Sequence, residues 1–360
     1  MISMKLLTIT LILTGFTGLT IAKEPTLPAE TKQHFLKKQL APHVLADPDY
    51  FCWGMSVIQW TDGKYHGYYA RWPKKTGQAG WMTHCEIAHA VADQPEGPFK
   101  TIGVAIESRN LKGWDIINAH NPSVCVAHGK IHIYYIANRL RDDFKATAEH
   151  PYPSDVWMKK NRKNIVRNRQ CIGVATADSP NGPFIRAPKP VVVPDGKQFK
   201  NIAVNPAVIY QNGKFIMIVK GDDAKKDGWF RIQLVGHADK AEGPFTFQNE
   251  AIYDKAQTED ACIWYDQIEK KYHSLIHVMG KPYLAHLVSD DSFKWREAKP
   301  FSLKKKEFKL SDGTVWKPSR VERPFVLTND KGQAQWLYTG VAVKNTWGNI
   351  AIPYPKPLPE

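Results

Sequence analysis

The chain has 360 residues, of which 43% are apolar, and its 49 Lys and Arg outnumber its 35 Asp and Glu to give a formal net charge of +14. This surplus favours an acidic partner through long-range attraction. No helix-turn-helix, zinc-finger or RNA-binding signature is present, which argues against nucleic acid as that partner. An anionic glycan or an anionic cell surface fits better, although a basic surface that only keeps the protein soluble explains the charge equally well.

The first 22 residues have the pattern of a secretory signal peptide. Lys5 precedes an uncharged apolar run over residues 6–21, and the small residue Ala22 suits cleavage near that position. Thr and Gly interrupt the run and charged residues follow at once, which favours a signal peptide over a transmembrane anchor. No later stretch is long and apolar enough to span a bilayer. We therefore expect a protein secreted to the periplasm or the cell exterior, with no membrane insertion.

Five cysteines are scattered without CxxC spacing, most of them in apolar, strand-like runs: Cys52, Cys85, Cys125, Cys171 and Cys262. An odd number in this setting favours buried free thiols over a disulfide framework or a zinc site. The sequence also has no phosphate-binding glycine loop, HExxH, GxSxG or nucleophilic-cysteine motif. We predict neither a metal nor a cofactor.

A short tag recurs three times further along the chain. Residues 23–50, which are polar, proline-punctuated and helical in pattern around 31–40, are interpreted as a lead-in segment before the repeats. The tags are Glu-Gly-Pro-Phe at 96–99, Asn-Gly-Pro-Phe at 181–184 and Glu-Gly-Pro-Phe at 242–245, each after an apolar strand. Recurrence in the same order indicates internal repeats.

A β-hairpin precedes each tag. The clearest covers residues 120–137, where an apolar run, a turn at His128-Gly129-Lys130 and an alternating strand follow one another. Similar turns lie at 62–64 and 212–214, a looser fourth copy spans 259–278, and a fifth starts at 322 and turns at 330–332.

Five sheets of this kind cannot bury their faces alone, so they must stack around an axis. The sequence therefore predicts an all-β fold, a five-bladed β-propeller of four-stranded antiparallel blades over residues 51–352. The blades are predicted at 51–107, 116–193, 201–252, 258–301 and 321–352, followed by a tail at 353–360. A β-sandwich is the main alternative, but it would not need a tag after every third strand.

Two basic inserts interrupt the repeats, at residues 139–169 and 302–320. As loops between strands of a rigid scaffold, they are where we expect specificity to lie.

The innermost strands of a propeller run in one direction, so their first residues converge near the axis on one face. These pairs of residues are Trp53-Gly54, His120-Asn121, Val204-Asn205, Glu259-Asp260 and Glu322-Arg323. The third strands are parallel to the first ones, so Glu86, Arg169 and Arg231 are expected further out on that face. The sequence thus predicts a bowl lined by Glu, Asp, Asn, His and Arg.

This pattern resembles the propeller of glycoside hydrolase family 43 and its relatives in families 117, 32 and 130, over nearly all of residues 51–350. The polar strand starts, turns such as Gly63-Lys64-Tyr65 and the Ser-Pro-x-Gly-Pro-Phe tag at 179–184 are the shared features. The resemblance implies cleavage of glycosidic bonds at the propeller centre. It implies a base Asp from blade one, an orienting Asp from blade two and an acid Glu from a later blade.

The family's carboxylates match this chain only in part. Glu259, followed by Asp260-Ala261, is similar to the family's Glu-Gly-Pro motif and is the predicted general acid. Asn121 stands where the resemblance implies the Asp of blade two, and Gly54 where it implies the Asp of blade one. The second carboxylate that hydrolysis requires must then come from elsewhere.

Glu322 and Asp115 are the preferred candidates for that second carboxylate, with Glu86 behind them and Asp260 also considered. Each could instead cap a strand or pair with a neighbouring arginine, as Glu322 could with Arg323.

The remaining candidates are expected to contact substrate. His120 could act as an acid, bind an ion on the axis or contact the sugar, and a structural histidine is the alternative. Asn121, Asn205, Asp260 and Glu86 complete the polar set. Arg71, Lys220, Arg231 and Arg323 could bind sulfate or carboxylate groups, and Trp53 and Trp114 could stack on a sugar.

The function predicted from the sequence is a secreted glycosidase that acts on a poly- or oligosaccharide, for which the basic charge favours sulfate or uronate groups. Two alternatives stay open. A non-catalytic glycan-binding propeller would explain the missing aspartates, and a phosphorylase or a uronate lyase could use the same scaffold.

Overall fold

The computed structural model describes residues 43–141, 143–144, 147–310 and 313–355. The predicted signal peptide at 1–22, the helical pattern at 31–40 and the end of the predicted tail at 356–360 lie outside these described residues. No helix among them is long and apolar enough to cross a membrane.

The described residues form short antiparallel strands joined mostly by tight turns. In chain order the strands are β1 (His43–Ala46), β2 (Tyr50–Gln59), β3 (Tyr65–Pro73), β4 (Glu86–Ala92), β5 (Lys100–Ile106), β6 (His120–Ala127), β7 (Lys130–Asn138), β8 (Gln170–Ala177), β9 (Ile185–Arg186), β10 (Phe199–Gln211), β11 (Lys214–Asp223), β12 (Arg231–Ala238), β13 (Thr246–Phe247), β14 (Thr258–Asp266), β15 (Lys271–Val278), β16 (Tyr283–Ser289), β17 (Arg296–Lys305), β18 (Phe308–Lys309), β19 (Val315–Trp316), β20 (Arg320–Thr328), β21 (Ala334–Val343) and β22 (Thr346–Pro353).

These strands build five four-stranded sheets, which are the blades of a five-bladed β-propeller. Blades one to four have the orders β2-β3-β4-β5, β6-β7-β8-β9, β10-β11-β12-β13 and β14-β15-β16-β17, and blade five has the order β20-β21-β22-β1. The predicted fold class is confirmed. A two-stranded ribbon, β18-β19, lies within the second basic insert.

Blade five is completed by the start of the described chain. Strand β1 pairs antiparallel with β22, with Leu45 opposite Asn349 and Ala46 opposite Gly348. An outer edge of β22 without a partner would leave backbone N–H and C=O groups unpaired, and β1 satisfies them. The lead-in predicted at 23–50 is therefore corrected, because residues 43–46 belong to the propeller.

The recurring tags connect the third strand to the fourth in blades one to three. Gly97, Gly182 and Gly243 in these tags have φ values of 75°, 79° and 83°, in the left-handed region that glycine adopts at no steric cost. A Cβ atom at Gly97 would approach the Phe99 backbone nitrogen to 3.0 Å. The turn itself therefore requires the glycine that recurs in the sequence.

The connections that carry the tags also join neighbouring blades. The hydroxyl of Tyr68 in blade one donates to the Pro180 carbonyl beside the tag of blade two, over 2.8 Å. The Tyr134 hydroxyl of blade two donates to the Ala241 carbonyl beside the tag of blade three, over 2.9 Å. Because these tyrosines are fully buried, each needs such an acceptor.

The first basic insert is a packed helical segment rather than the loop that the sequence predicted. It contains helix α1 (Asp155–Asn161), followed by a wider π turn over Arg162–Val166 and a 3-10 turn over Arg167–Arg169. Ser154 caps α1 by accepting a hydrogen bond from the Trp157 backbone N–H. Buried Met158 and Val166 pack against apolar residues that precede β6.

Candidate active site

A ring of five residues surrounds the axis on the face where the innermost strands start. Each ring residue lies at a break in the register of its strand and has φ between 49° and 59°: Gly54, Asn121, Asn205, Asp260 and Arg323. This left-handed conformation is uncommon for residues other than glycine. At a bulge it redirects the side chain, here so that neighbouring ring residues meet.

The ring is linked by polar contacts. The Asn121 amide donates to Asn205 Oδ1 over 2.9 Å, and the Asn205 amide donates to Asp260 Oδ1 over 2.7 Å. A guanidinium nitrogen of Arg323 lies 3.6 Å from the same Asp260 oxygen. Asn121 and Asn205, predicted as substrate contacts, therefore also hold each other and Asp260 in place.

Arg323 fills the space beside Gly54. A Cβ atom at Gly54 would lie 3.2 Å from the Cβ and Cγ atoms of Arg323, and the arginine is only 6% exposed. Its guanidinium also lies 3.5 Å and 3.4 Å from the carbonyl oxygens of Asn121 and Pro122. The position for which the resemblance implied an aspartate is thus covered by a buried cation.

A cavity of about 520 Å³ opens on this face. The residue before each ring residue lines it, which gives Trp53, His120, Val204, Glu259 and Glu322. The structure therefore brings the predicted strand starts together, and Glu259 and Glu322 share one cavity.

Glu259 is held by two cations. Its carboxylate lies 3.3 Å from Lys220 Nζ and 3.2 Å from Arg231 Nε. Burial favours the neutral acid, but Lys220 and Arg231 outweigh it, and the pKa of Glu259 falls below its usual value. Glu259 is therefore ionised at neutral pH.

Glu322 has the opposite shift. Burial and the nearby carboxylates of Asp260 and Glu259 raise its pKa to about 7, against the attraction of Arg320 at 3.5 Å. A large share of Glu322 thus carries a proton near neutral pH. These directions favour Glu322 rather than Glu259 as the proton donor, the reverse of the roles expected from the sequence.

Glu259, Asp260 and His277 place carboxylate and imidazole ligand atoms within 4.8 Å of one another. These donor types could hold a metal ion. Lys220 and Arg231 already contact the first carboxylate, and Arg323 lies beside the second. The protein therefore supplies positive charge at this point itself.

His120 is buried against Trp81, with ring centroids 5.0 Å apart. Burial lowers its pKa to about 3. The imidazole is therefore neutral at physiological pH and cannot serve as the acid considered from the sequence. Its Nε2 atom is buried and has no hydrogen-bond partner among the residues that the structure describes.

Blades one and five contribute a group of tryptophans to the cavity lining, most of which the sequence did not predict as site residues. Trp53 lies 4.8 Å from Trp347 between ring centroids, and Trp72 meets Trp347 edge-on at 5.6 Å. Trp81 lines the cavity from a 3-10 turn between β3 and β4. Only Trp53 stood at a recognisable strand start; nothing in the local sequence sets the others apart from tryptophans packed between blades.

The cavity also contains more cations than were predicted. Six basic residues line it, of which Lys220 and Arg231 were expected: Arg162, Lys163, Arg167, Lys220, Arg231 and Arg320. The first three come from the basic insert, whose composition was the available signal. His277 was missed because it lies within β15, where an isolated histidine in an apolar strand has no distinguishing pattern.

Five predicted residues do not line the cavity. Arg323 is one of them, and it is corrected from a substrate contact to a buried ring residue beside Asp260. Arg71 donates to Glu86 over 2.9 Å and lies over the Tyr50 ring, so both charges are already paired. Glu86 and Arg71 are therefore corrected from substrate contacts to an ion pair between β3 and β4.

Asp115 and Trp114 are corrected in the same way. The carboxylate of Asp115 is buried, accepts from the Tyr135 hydroxyl over 2.7 Å and pairs with Arg186 at 2.8 Å. Trp114 stacks on Tyr135 in the core and donates to the Ala187 carbonyl. Both lie before β6, where packing between blades rather than the axis determines their contacts.

The five cysteines are buried free thiols, as predicted.

No protein-family model and no curated protein matches the sequence. Solved structures do resemble the fold. A family 117 glycoside hydrolase from the marine bacterium Zobellia galactanivorans is 18% identical, with a TM-score of 0.58 over 85% of this chain and 84% of its own. A family 43 β-xylosidase/α-arabinofuranosidase from a compost metagenome, in complex with xylotriose, is 13% identical, with a TM-score of 0.56 over 86% of this chain and 92% of its own.

A sucrose-6-phosphate hydrolase from Lactobacillus gasseri is 12% identical, with a TM-score of 0.58 over 91% of this chain and 64% of its own. At such identities these comparisons show a shared fold. They confirm the structural resemblance to families 43 and 117 predicted from the sequence.

Proposed function

We propose that the protein is a glycoside hydrolase that acts on a poly- or oligosaccharide bearing sulfate or carboxylate groups. The observation that carries this proposal is the pair Glu259 and Glu322. Both line one cavity, and their surroundings shift their pKa values in opposite directions. Two carboxyl groups kept in different protonation states are what glycoside hydrolysis requires.

In this proposal Glu322 is the general acid. It donates its proton to the glycosidic oxygen while the bond from that oxygen to the anomeric carbon breaks. Ionised Glu259 either takes a proton from the attacking water or attacks the anomeric carbon itself, after which water releases the sugar in a second step. Lys220 and Arg231 keep Glu259 ionised before the reaction.

The rest of the cavity suits a carbohydrate. Two tryptophans in the lining are accessible, the partly buried Trp81 and the exposed Trp229, and the apolar side of a sugar can stack on them. Six basic residues against three carboxylates in the described lining, together with a net charge of +14, support an anionic substrate.

The signal peptide predicted at residues 1–22 would bring the protein to polysaccharides outside the cell. Secretion to the periplasm or the cell exterior is accordingly part of the proposal.

The proposal is tested by incubating the wild type, Glu259→Gln and Glu322→Gln with neutral, sulfated and uronate-containing polysaccharides, and following new reducing ends and product masses. Glu86→Gln is the matched control, because Glu86 is a paired carboxylate outside the cavity. We expect products from the wild type and the control, and a loss of about 10²-fold or more in both cavity variants.

Equal products from all four proteins would overturn the assignment. Binding without products from the wild type would indicate a glycan-binding protein. Products formed only after inorganic phosphate is added would indicate a phosphorylase, and unsaturated uronate ends would indicate a lyase.

A further inference from the structure

We propose that Arg162 and Lys163 form a binding site for one fixed negative charge on the sugar, a sulfate ester or a carboxylate, at the rim of the cavity. This inference rests on the proposed function, because it assumes that a carbohydrate occupies the cavity. It identifies which of the cavity cations recognise the substrate's charge.

The other four cavity cations already have carboxylate partners. Arg320 lies beside Glu322, and Lys220 and Arg231 both contact Glu259. Arg167 makes two hydrogen bonds of 2.8 Å to the buried carboxylate of Asp222. Each of these cations already contacts a carboxylate, so a substrate anion would have to compete for it.

Arg162 and Lys163 differ from that group. Both line the cavity, and neither has an ion pair or a hydrogen bond to any carboxylate in the part of the chain that the structure describes. Arg162 is half-buried and Lys163 is exposed. Two adjacent cations without partners at the mouth of a cavity are available to an anion that enters with the substrate.

The segment that carries them is fixed at both ends. Met158 in α1 and Val166 in the π turn are buried in one apolar cluster. Immediately after the turn, Arg167 is held by Asp222 and lies over the Trp229 ring at 4.3 Å, which ties the segment to blade three. Such anchoring limits the entropy lost when Arg162 binds a ligand.

The π turn has a further effect. Lys159 and Lys160 belong to the regular α-helix, are exposed and do not line the cavity. The helix widens into the π turn at Arg162, and the side chains of Arg162 and Lys163 do line the cavity. Helical segments of this type often occur at functional sites. A planar guanidinium beside an ammonium suits the oxygen atoms of a sulfate or carboxylate.

The test uses the double variant Arg162→Gln/Lys163→Gln and the matched control Lys159→Gln/Lys160→Gln, which removes the same charge from the same segment outside the cavity. Both are made in the Glu322→Gln background, so that binding is measured without turnover. Calorimetry compares a sulfated oligosaccharide, its desulfated form, a uronate oligosaccharide and inorganic phosphate.

We expect the cavity variant to bind the sulfated or the uronate oligosaccharide about 10- to 100-fold more weakly than the parent. Its affinity for the desulfated form should stay unchanged, and the control should bind every ligand as the parent does. The oligosaccharide that loses affinity identifies whether sulfate or carboxylate is recognised.

Three outcomes overturn the inference: equal weakening in both double variants, no preference of the parent for a charged oligosaccharide, or inorganic phosphate binding as tightly as the oligosaccharide at the same two residues. These outcomes can be told apart from a failure of the proposed hydrolysis. If the protein is not a hydrolase, the wild type forms no products in the activity assay, but the affinities measured by calorimetry are unaffected.

Discussion

Glu259 in blade four and Glu322 in blade five occupy the same position in two consecutive repeats, directly before a ring residue in the left-handed conformation. Their surroundings differ. Two cations from blade three contact Glu259. Glu322 instead faces two other carboxylates, and the cations near it are Arg320 at 3.5 Å and Lys306. The repeat thus supplies equivalent backbone positions, and neighbouring blades determine which carboxyl group keeps its proton.

The largest expected effect is on kcat, and it distinguishes the acid Glu322 from Glu259 by using substrates with different leaving groups. Glu322→Gln should lose about 10²- to 10⁴-fold in kcat on the polysaccharide, but little on an aryl glycoside whose leaving group needs no proton. Glu259→Gln should lose activity on both substrates. Steady-state rates with the two substrate types measure this difference. Equal losses on both substrates for Glu322→Gln would contradict its role as the acid.

A smaller effect on kcat/KM is expected when the pKa values of Glu259 and Glu322 are brought closer together. Lys220→Met removes a cation that lowers the pKa of Glu259, so that pKa should rise. Glu259 stays ionised in the pH range where Glu322 titrates, so the pKa of Glu322 should stay near 7. The acidic limb of the bell-shaped pH profile of kcat/KM should therefore move to higher pH while the alkaline limb stays in place, with about a 10-fold loss at the maximum.

Lys200→Met is the control for that profile, since Lys200 is exposed and does not line the cavity. An acidic limb that does not move in Lys220→Met would contradict the assignment of that limb to Glu259.

The pH dependence of stability should also differ between Glu322 and Glu259. The pKa of Glu322 is about 7 in the folded chain against an ordinary value of 4.5, so the folded state binds its proton more tightly. Its contribution to stability is therefore present at low pH and declines as the pH rises from about 4.5 to 7. Glu322→Gln removes the cost of a buried charge, and we expect a gain of about 3 kcal/mol at pH 8.

Urea unfolding of the wild type and Glu322→Gln at pH 4 and pH 8 measures this gain. A gain of the same size at both pH values would exclude ionisation as its cause. Glu259, whose pKa is lowered, should have the opposite dependence, because its contribution is present above its ordinary pKa and declines as the pH falls.

The smallest effect concerns a carboxylate outside the pair. Glu86→Gln removes half of a partly exposed ion pair with Arg71, and we expect activity within about twofold of the wild type and a stability loss of about 1 kcal/mol. Activity and urea unfolding at neutral pH check both values. A large loss of activity would return Glu86 to the list of catalytic candidates.

Much of the site could be predicted from the sequence, because its residues lie at the same position in each of the five repeats. The first residue pair of each blade was recognisable from the hairpin that follows, and all five pairs contribute to the axial ring and the cavity lining. Asp115 was predicted without that support, from its residue type and its place just ahead of a strand, and Glu86 was predicted from the start of a third strand. Both turned out to be paired with arginines outside the cavity.

The fold likewise has parts that the sequence predicts locally and one part that it does not. Four blades follow from local strands and turns, since each blade is formed by consecutive segments of chain. Blade five needs β1, which is separated from β22 by nearly the whole propeller. No local pattern identifies such a pairing, and residues 43–46 were therefore assigned to the lead-in.

The sequence by itself determined the number of blades, the positions of the inner strand starts and the presence of Glu259 and Glu322 among them, because these depend on local strand and turn preferences repeated along the chain. Only the tertiary structure decided which carboxyl group is charged, that Arg323 covers Gly54, and that Arg162 and Lys163 reach the cavity. The physical reason is that these properties depend on burial and on charges from other blades, and such neighbours are brought together only when the ring closes.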